Sequence, residues 1–434
     1  MAHDTSENRV EVAAMPSVSY DEAASVTDYL EQRLAETVDV DVPVGRRAVL
    51  GGLGVAGSAA LGLGGSGATA HPGHDDEDDS HGNFGSSGEY ESGDFDPHEY
   101  LRTFNTGESG QDDLRQEVYE EDGRTVRHFE FSIVDTSIEI APGVEFPAWA
   151  FENQVPGPTL RAVEGDVIRI TVSNGSEHAH TIHPHLKNLL PEMDGTPQNG
   201  PGVIENGEEF TYEWRAQPAG VHFYHCHALP LKEHMHRGMY GVFLVDPDPE
   251  RVRENPREYV NYQGPVPDEY RDRLVAEARQ RNHTTPDNDE VNEMVMVMNS
   301  FDTDFHGENE VYAANTRAFA YGVGETDANG HWEPGETKRP IQIDRDRRHL
   351  VYLVNVTEFD PINSFHTHSQ FFDYYDHGTT LEPTHRNVDT IMQCQAQRGI
   401  IDLDYSDHEP GLYMFHAHQS EFAELGWMSF FEVV

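Results

Sequence analysis

The chain is predicted to be all-β, with two β-sandwich domains in tandem. From about residue 126 onward, short β-prone runs such as 167–172, 210–214 and 241–245 are separated by Gly, Pro, Asn and Asp. Many short strands at such spacing are typical of a sandwich. Histidine clusters occur twice in each half of this region, so the second half repeats the theme of the first.

Length allows two domains, each with its own core, after removal of a leader. The 434 residues divide into five predicted regions: an export-signal region at 1–70, an acidic, His-containing flexible tail at 71–125, a first domain at 126–248, a polar connection at 249–291 with possible helix at 268–281, and a second domain at 292–434.

The composition is strongly acidic. The formal charge of −49 results from 78 acidic against 29 basic residues, and lysine occurs at three positions, Lys187, Lys232 and Lys338. An acid-rich, lysine-poor surface is what we expect of a halophilic protein kept soluble in concentrated salt. The negative charge also argues against nucleic acid as a partner.

The N-terminal region has the features of an export signal. Arg46 and Arg47 precede an apolar run at 48–64, and Ala68-Thr69-Ala70 follows it. The pattern predicts twin-arginine (Tat) export with cleavage after Ala70, and hence a secreted or cell-surface location. The apolar run is Gly-rich and short for a bilayer, so no membrane anchor is predicted unless the signal stays uncleaved.

Two cysteines, Cys226 and Cys394, exclude a disulfide framework. Cys226 is surrounded by histidines and is interpreted as a metal ligand. Cys394 ends a strand-like run at 389–394 and is predicted to be a small buried hydrophobic residue.

The sharpest motif in the first half is YHCH at 224–227. Successive side chains of a strand point to opposite faces, so His225 and His227 share one face and Cys226 projects from the other. One short segment therefore serves two metal sites at once.

The same parity applies to HTIHPH at 180–185. His183 and His185 lie on one face of an extended segment, and His180 lies on the other, the side of Cys226. A thiolate with two imidazoles and a weak axial thioether is the ligand set of a blue-copper centre. That set is supplied by His180, Cys226, His234 and Met239.

The second half keeps both His-x-His pairs, as His366/His368 and His416/His418. Asn363 and Ala417 occupy the positions that correspond to His180 and Cys226. The thiolate site is therefore missing from the second half while its imidazole face is intact.

At these residues the chain resembles the multicopper oxidases, specifically the two-domain, laccase-like group with type 1 copper in the first domain, here of a haloarchaeal type. The resemblance covers roughly residues 126–434 and includes QVPGPT at 154–159 and EGD at 164–166. Four clusters in register make the match highly specific. It implies two cupredoxin-like Greek-key β-sandwich domains.

The resemblance also implies four copper ions per chain. It places type 1 copper at His180, Cys226, His234 and Met239. It places a trinuclear cluster on eight histidines, with the type 2 ion at His183 and His366 and the type 3 pair at His185, His225, His227, His368, His416 and His418.

The step from Cys226 to His234 is longer than in laccases and closer to that of copper nitrite reductases. His236 is therefore a rival for the second type 1 imidazole. His234 is preferred because it keeps the five-residue step to Met239 that the nitrite reductases have.

The expected activity is one-electron oxidation of a small-molecule or protein electron donor, coupled to four-electron reduction of dioxygen to water. Two alternatives are a copper-containing nitrite reductase, which needs fewer histidines, and a non-catalytic copper-binding or electron-transfer protein. The resemblance favours a homotrimer with a cluster between the first domain of one chain and the second domain of the next.

Several other residues receive weaker assignments. Glu421 and Asp194 are candidate proton donors. A pocket for the reducing substrate is expected near an exposed edge of His234. Ordinary core packing is expected of Met294, Met296 and Met298, and supporting or surface positions are expected of His178, His222, His236 and His377.

Overall fold

In this computed structural model, the structure describes residue 90 and residues 116–282, 291–322 and 338–434. The predicted export signal and most of the acidic tail lie outside the described residues. None of the described helices is long and apolar enough to cross a membrane. The all-β prediction is confirmed, since strands are the main regular secondary structure of both halves and helices are few.

The first half of the described chain contains two sheets. Its strands are β1 (Gln116–Glu121), β2 (Arg124–Ala141), β3 (Val144–Phe151), β4 (Gly157–Val163), β5 (Val167–Asn174), β6 (His183–Pro184), β7 (Glu209–Arg215), β8 (Gly220–His225) and β9 (Tyr240–Asp246). One sheet has the order β1-β2-β5-β7, with β3 on β2, and the other has the order β4-β9-β8-β6.

The second half also contains two sheets. Its strands are β10 (Val291–Phe301), β11 (Val311–Ala314), β12 (Ile341–Ile343), β13 (Arg348–Asn355), β14 (Ile362–Thr367), β15 (Phe372–Asp376), β16 (His385–Val388), β17 (Thr390–Cys394), β18 (Arg398–Asp404), β19 (Gly411–His416) and β20 (Met428–Val433). The sheet orders are β11-β10-β13-β18-β15-β16 and β12-β20-β19-β14-β17.

Four short helices connect these strands. They are α1 (Leu231–His236), α2 (Pro249–Glu254), α3 (Asp268–Arg281) and α4 (Ser420–Glu424). Helices α2 and α3 lie between the two halves, and α3 occupies the stretch for which helix was expected. Helices α1 and α4 take equivalent places, between β8 and β9 and between β19 and β20.

Alternation of apolar and polar residues explains the sandwich packing. In β5, Ile168, Ile170 and Val172 are buried while the residues between them are partly exposed. Strand β13 has seven of its eight residues buried, because it lies inside a sheet that packs on both faces. The predicted core role of Met294, Met296 and Met298 is confirmed, since all three lie in the second-half core.

The two halves share a further core and belong to one compact unit. Val221 and Phe223 of β8 pack in the same cluster as Val297 of β10 and Leu350 of β13. This shared core fixes β8, which leads into the YHCH motif, against the second half.

Two sequence predictions are corrected. Cys394 is exposed, because the alternation along β17 turns Ile391 and Gln393 inward and Cys394 outward. The predicted flexible tail ends too late, because β1 pairs with β2 inside it. Strand β1 has no buried residue and so carries no apolar alternation, but the Asp122-Gly123 turn that follows, with both residues at positive φ, is a hairpin signal.

Candidate metal centres

The structure brings Cys226, His180 and His234 together in the first half. Their candidate ligand atoms all lie within 4.8 Å of one another. The Sγ of Cys226 lies 3.2 Å from Nδ1 of His234 and 3.7 Å from Nδ1 of His180. Met239 is fully buried, and its carbonyl accepts the backbone N–H of Cys226 at 2.9 Å.

His236, the rival ligand, is directed elsewhere. Its Nε2 lies 3.1 Å from the backbone N and 3.2 Å from the backbone O of Asp302, at the end of β10. Residues two apart in the short helix α1 point in different directions. The structure therefore groups His234, and not His236, with Cys226.

The surroundings of Cys226 suit a ligand to a cation. Burial raises the pKa of the thiol to about 11, although the backbone N–H groups of Thr181 and Ala228, each 3.4 Å from Sγ, favour the thiolate. Burial lowers the pKa of His180 to about 3 and that of His234 to about 4. Both imidazoles are therefore neutral at pH 7, as metal ligands must be.

Trp149 packs against both imidazoles of this group. Its ring centroid lies 4.7 Å from that of His234 and 5.5 Å from that of His180. The ring of His178 lies 4.3 Å from that of Trp149, and the Arg237 guanidinium lies 4.8 Å from the Trp149 ring. His234 is 2% exposed, so the exposed edge expected from the sequence is nearly absent. An electron donor would contact neighbouring side chains before it reached His234. No motif in the sequence pointed to Trp149.

The other face of the YHCH strand carries a histidine group. His183, His185 and His225 bring their ligand atoms within 4.8 Å, and the Nε2 atoms of His185 and His225 are 3.2 Å apart. The ring of His227 lies 5.4 Å from that of His183. We name His183, His185, His225 and His227 the first half-cluster.

Hydrogen bonds fix which ring nitrogens point inward. The Nδ1 of His183 lies 2.6 Å from the carbonyl O of Asp194, and the Nδ1 of His225 lies 2.8 Å from the carbonyl O of Cys226. Such bonds orient metal-binding imidazoles and leave Nε2 available. The Nδ1 of His227 is buried without a hydrogen-bond partner, as expected of an atom reserved for a metal. The imidazole nitrogens of the first half-cluster therefore fit copper as its ligands.

The second half repeats this arrangement. His366, His368 and His416 form a group within 4.8 Å, and the Nε2 atoms of His368 and His416 are 3.1 Å apart. The Nδ1 of His366 lies 3.0 Å from the carbonyl O of Asp389, and that of His416 lies 2.5 Å from the carbonyl O of Ala417. We name these three residues and His418, whose ring lies 5.0 Å from that of His366, the second half-cluster.

The two half-clusters differ in exposure. His225 is buried, whereas His368 and His418 are exposed. Burial lowers the pKa of His185 to about 2 and that of His225 to about 3. Among the described residues, no group of potential metal ligands combines histidines from both half-clusters.

Among its described residues, the second half has no counterpart of the group formed by Cys226, His180 and His234. Two backbone hydrogen bonds show which positions of the two halves correspond. The N–H of Cys226 donates to the carbonyl O of Met239, and in the same way the N–H of Ala417 donates to the carbonyl O of Trp427 at 3.1 Å. The N–H of Met239 donates to the carbonyl O of His234 at 3.2 Å, and the N–H of Trp427 donates to the carbonyl O of Phe422 at 2.9 Å. The sequence comparison found the replacements Asn363 and Ala417 but missed Phe422 and Trp427. All four ligand positions are thus occupied by other residues, namely Asn363, Ala417, Phe422 and Trp427.

The two candidate proton donors are placed differently. Asp194 lies beside the first half-cluster, with Oδ1 3.5 Å from Nδ1 of His183. Glu421 is exposed in the first turn of α4, near Tyr312, whose pKa it helps to raise. The structure gives Asp194 a direct contact with a cluster histidine.

A fourth group of candidate ligands lies at the end of β10. Asp302, Asp304 and His306 place ligand atoms within 4.8 Å. The Nδ1 of His306 lies 3.0 Å from Oδ1 of Asp302 and 2.7 Å from Oδ1 of Asp304. These ion pairs account for the group, and we assign it no metal.

Comparison with known proteins shows the family to which this chain belongs. Residues 132–250 and residues 284–434 each match a family model described as multicopper oxidase. A crystal structure of a multicopper oxidase is 40% identical, with a TM-score of 0.59, and the match covers 78% of this chain and 97% of that one. The chain therefore belongs to the multicopper oxidases.

Curated relatives match over shorter stretches. The multicopper oxidase CTB12 of Cercospora beticola is 38% identical over 131 residues, which are 30% of this chain and 20% of that protein. The copper-containing nitrite reductase of Neisseria gonorrhoeae is 30% identical over 136 residues, or 30% of this chain and 32% of that protein. The chain thus matches about a fifth to a third of the length of these relatives.

Proposed function

We propose that this protein is a laccase-like oxidase that couples one-electron oxidation of a donor to four-electron reduction of dioxygen to water. Bound copper would supply the redox chemistry at both sites. The observation that carries the proposal is that Cys226 joins the first site to two cluster histidines that are its chain neighbours, His225 and His227.

We assign each site its residues from the resemblance to the multicopper oxidases, and the groups of neighbouring ligand atoms described above support this assignment. His180, Cys226, His234 and Met239 hold type 1 copper. In the cluster, His183 and His366 hold the type 2 ion, and the type 3 pair is held by His185, His225, His227, His368, His416 and His418. Four ions per chain follow from this assignment.

We further propose that each cluster closes between chains, in a homotrimer. The support is the exposure of His368 and His418 together with the absence of a mixed ligand group among the described residues. Within one chain, no ligand group among the described residues combines the two half-clusters, so a first half-cluster would need the second half-cluster of another chain. Such a head-to-tail contact closes into a ring when the rotation between neighbouring chains fits the ring.

Copper nitrite reductase is the second candidate, supported by the Neisseria relatives. The matching hydrogen bonds of the two half-clusters argue for the oxidase, because they orient two histidines in each half, His183 and His225 and then His366 and His416, within sets of four, where a single catalytic copper needs few. A carrier without turnover would leave the second half-cluster without a role.

The test is a copper count joined to gas measurements. The oxidase takes up four copper ions per chain and consumes dioxygen with a phenol, an aromatic amine, a cuprous ion or a small copper protein as donor. Two ions per chain with nitric oxide released from nitrite would establish the reductase. Bound copper without turnover on any donor would establish the carrier.

Three further assignments belong to this proposal. Asp194 is the preferred proton donor because of its contact with His183, and Glu421 is the second choice. The Arg46-Arg47 signal directs the folded enzyme out of the cell. The charge of −49 adapts it to concentrated salt.

A further inference from the structure

Arg398 is a buried cation that the second half of the chain places behind the first half-cluster. It is the first residue of β18 and is 9% exposed. Its Nε–H donates to the carbonyl O of Val221 at 2.9 Å, and Nη1 donates to the carbonyl O of Ala396 at 3.1 Å. These bonds hold the guanidinium against strand β8.

Two contacts connect Arg398 to the cluster histidines. Its guanidinium carbon lies 5.8 Å from the centroid of the Phe223 ring, and that ring packs against His185 with centroids 4.1 Å apart. Its Nη2 lies 3.5 Å from Nδ1 of His222, and that Nδ1 lies 2.9 Å from the carbonyl O of His185. His222 and Phe223 therefore connect the guanidinium of Arg398 to His185 of the first half-cluster.

This charge has no ion-pair partner among the described residues, although the chain contains 78 acidic residues. Asp376, the acid whose charge acts on it, instead contacts His377 at 3.1 Å and Gln397 at 3.2 Å. By contrast, the guanidinium groups of Arg161 and Arg348 each pair with two carboxylates.

An unpaired buried cation is costly and is rarely kept for stability. Burial lowers the pKa of Arg398 to about 10, which still leaves the group charged at neutral pH. A structural role would be served as well by a residue that hydrogen-bonds without a charge. The charge itself therefore calls for an explanation.

We propose that Arg398 is a positioning residue for the cluster chemistry, whose unpaired charge favours anions and added electrons at the first half-cluster. The proposal rests on the proposed function. Reduction of dioxygen brings negative charge to this face, and a fixed cation in a low-dielectric setting stabilises such charge without reorganisation. The field comes from the second half of the same chain, so it is present in every assembly state.

The test uses azide as a small anion that ligates copper, added to the assembled, copper-loaded protein at equal copper content. Arg398→Gln removes the positive charge and keeps a hydrogen-bond donor. Arg398→Lys keeps the charge and loses the branched hydrogen-bonding geometry of the guanidinium. Azide affinity, followed by absorption, should fall about tenfold in R398Q, or roughly 1.4 kcal/mol. It should stay within about twofold of the parent in R398K.

Arg348→Gln is the matched control, because it removes a paired guanidinium from the same half, and it should leave azide affinity unchanged. Arg398→Met, which fills the site with an apolar chain of similar length, is the second neutral variant should R398Q not fold. It should show the same tenfold loss. Absorption of the blue site should be unchanged in all of these proteins.

Unchanged azide affinity in the neutral variants would overturn the proposal, and so would an equal loss in R398K and R398Q, which would point to hydrogen bonding instead. Either result leaves the proposed function standing, because the parent binds azide in both. A parent that loads copper but binds no azide would overturn the cluster assignment and this proposal together.

Discussion

The two halves of the chain share a framework of strands, are alike on the face that carries the paired histidines, and differ on the opposite face. In both, a hydroxyl accepts the N–H of the last motif histidine at 2.8 Å: Thr181 from His227, and Ser364 from His418. Carbonyl contacts at Nδ1 also match, for His183 with His366 and for His225 with His416. The two halves therefore support these histidines with the same kinds of bonds, although the second half-cluster is more exposed.

The opposite face of the same strands differs completely. Where the first half has His234 and Met239, the second has Phe422 and Trp427, and the Trp427 indole donates to the carbonyl O of Ser364 at 3.2 Å. Trp427 is fully buried beside Phe365 and Phe415. Apolar side chains therefore occupy the positions that correspond to His234 and Met239. Because side chains alternate along a strand, this difference leaves the histidines on the other face undisturbed.

The largest expected effect comes from the shared face. His416→Ala should lower dioxygen reduction to below about a thousandth of the parental rate, a loss of roughly 4 kcal/mol, while blue absorption persists. The reason is that His416 belongs to the second half-cluster and has no contact with Cys226. Oxygen uptake and visible spectra check it; a variant that turns over at the parental rate would remove His416 from the cluster.

Cys226→Ser probes the face that differs. The variant should lose its blue absorption and its donor oxidation but keep about three copper ions per chain, because a thiolate ligates the blue site alone. Ala417→Cys, its counterpart in the second half, should gain no blue band, since Phe422 and Trp427 fill the space. Metal analysis with absorption spectra decides both, and loss of all copper in C226S would mean that the two sites are not separable.

Trp427→Ala tests whether the second half really has a core at the blue-site position. Removing the indole should destabilise the copper-free protein by about 3–5 kcal/mol through the cavity it leaves. Trp427→Phe should cost less. Denaturant unfolding measures both, and a stability equal to the parent's in W427A would show that the position carries no packing energy.

Salt acts on both halves and should have the smallest and most diffuse effect. A charge of −49 with three lysines implies self-repulsion when counterions are removed. Thermal unfolding should shift to lower temperature as salt falls from molar to millimolar concentration. A midpoint that stays constant over this range would remove the halophile interpretation.

Strand parity predicted which of the motif histidines share a face. It separated His180 and Cys226 from His183, His185, His225 and His227, because side chains alternate along an extended segment. It also indicated the core face of the methionines of β10, whereas the all-β class was predicted from the many short β-prone runs. Local periodicity is informative where one face is buried.

Contacts made across the chain could not be predicted in this way. Trp149, Phe422 and Trp427 reach their sites through backbone pairings that carry no motif, and Arg398 reaches the first half-cluster from 172 positions beyond Cys226. Strand β1 was missed because both of its faces are exposed. Cys394 was misplaced because a strand-like run does not show which of its faces is inward.

The central claim is that each cluster is completed by a neighbouring chain, and reassembly of two inactive variants tests it most directly. His185→Ala damages the first half-cluster and His418→Ala damages the second. In mixed rings, a contact between the first half of the H418A chain and the second half of the H185A chain carries no lesion. Equal mixing should therefore restore roughly a quarter of the parental oxygen uptake. A mixture as inactive as its parts, or a fully active monomer, would contradict the claim.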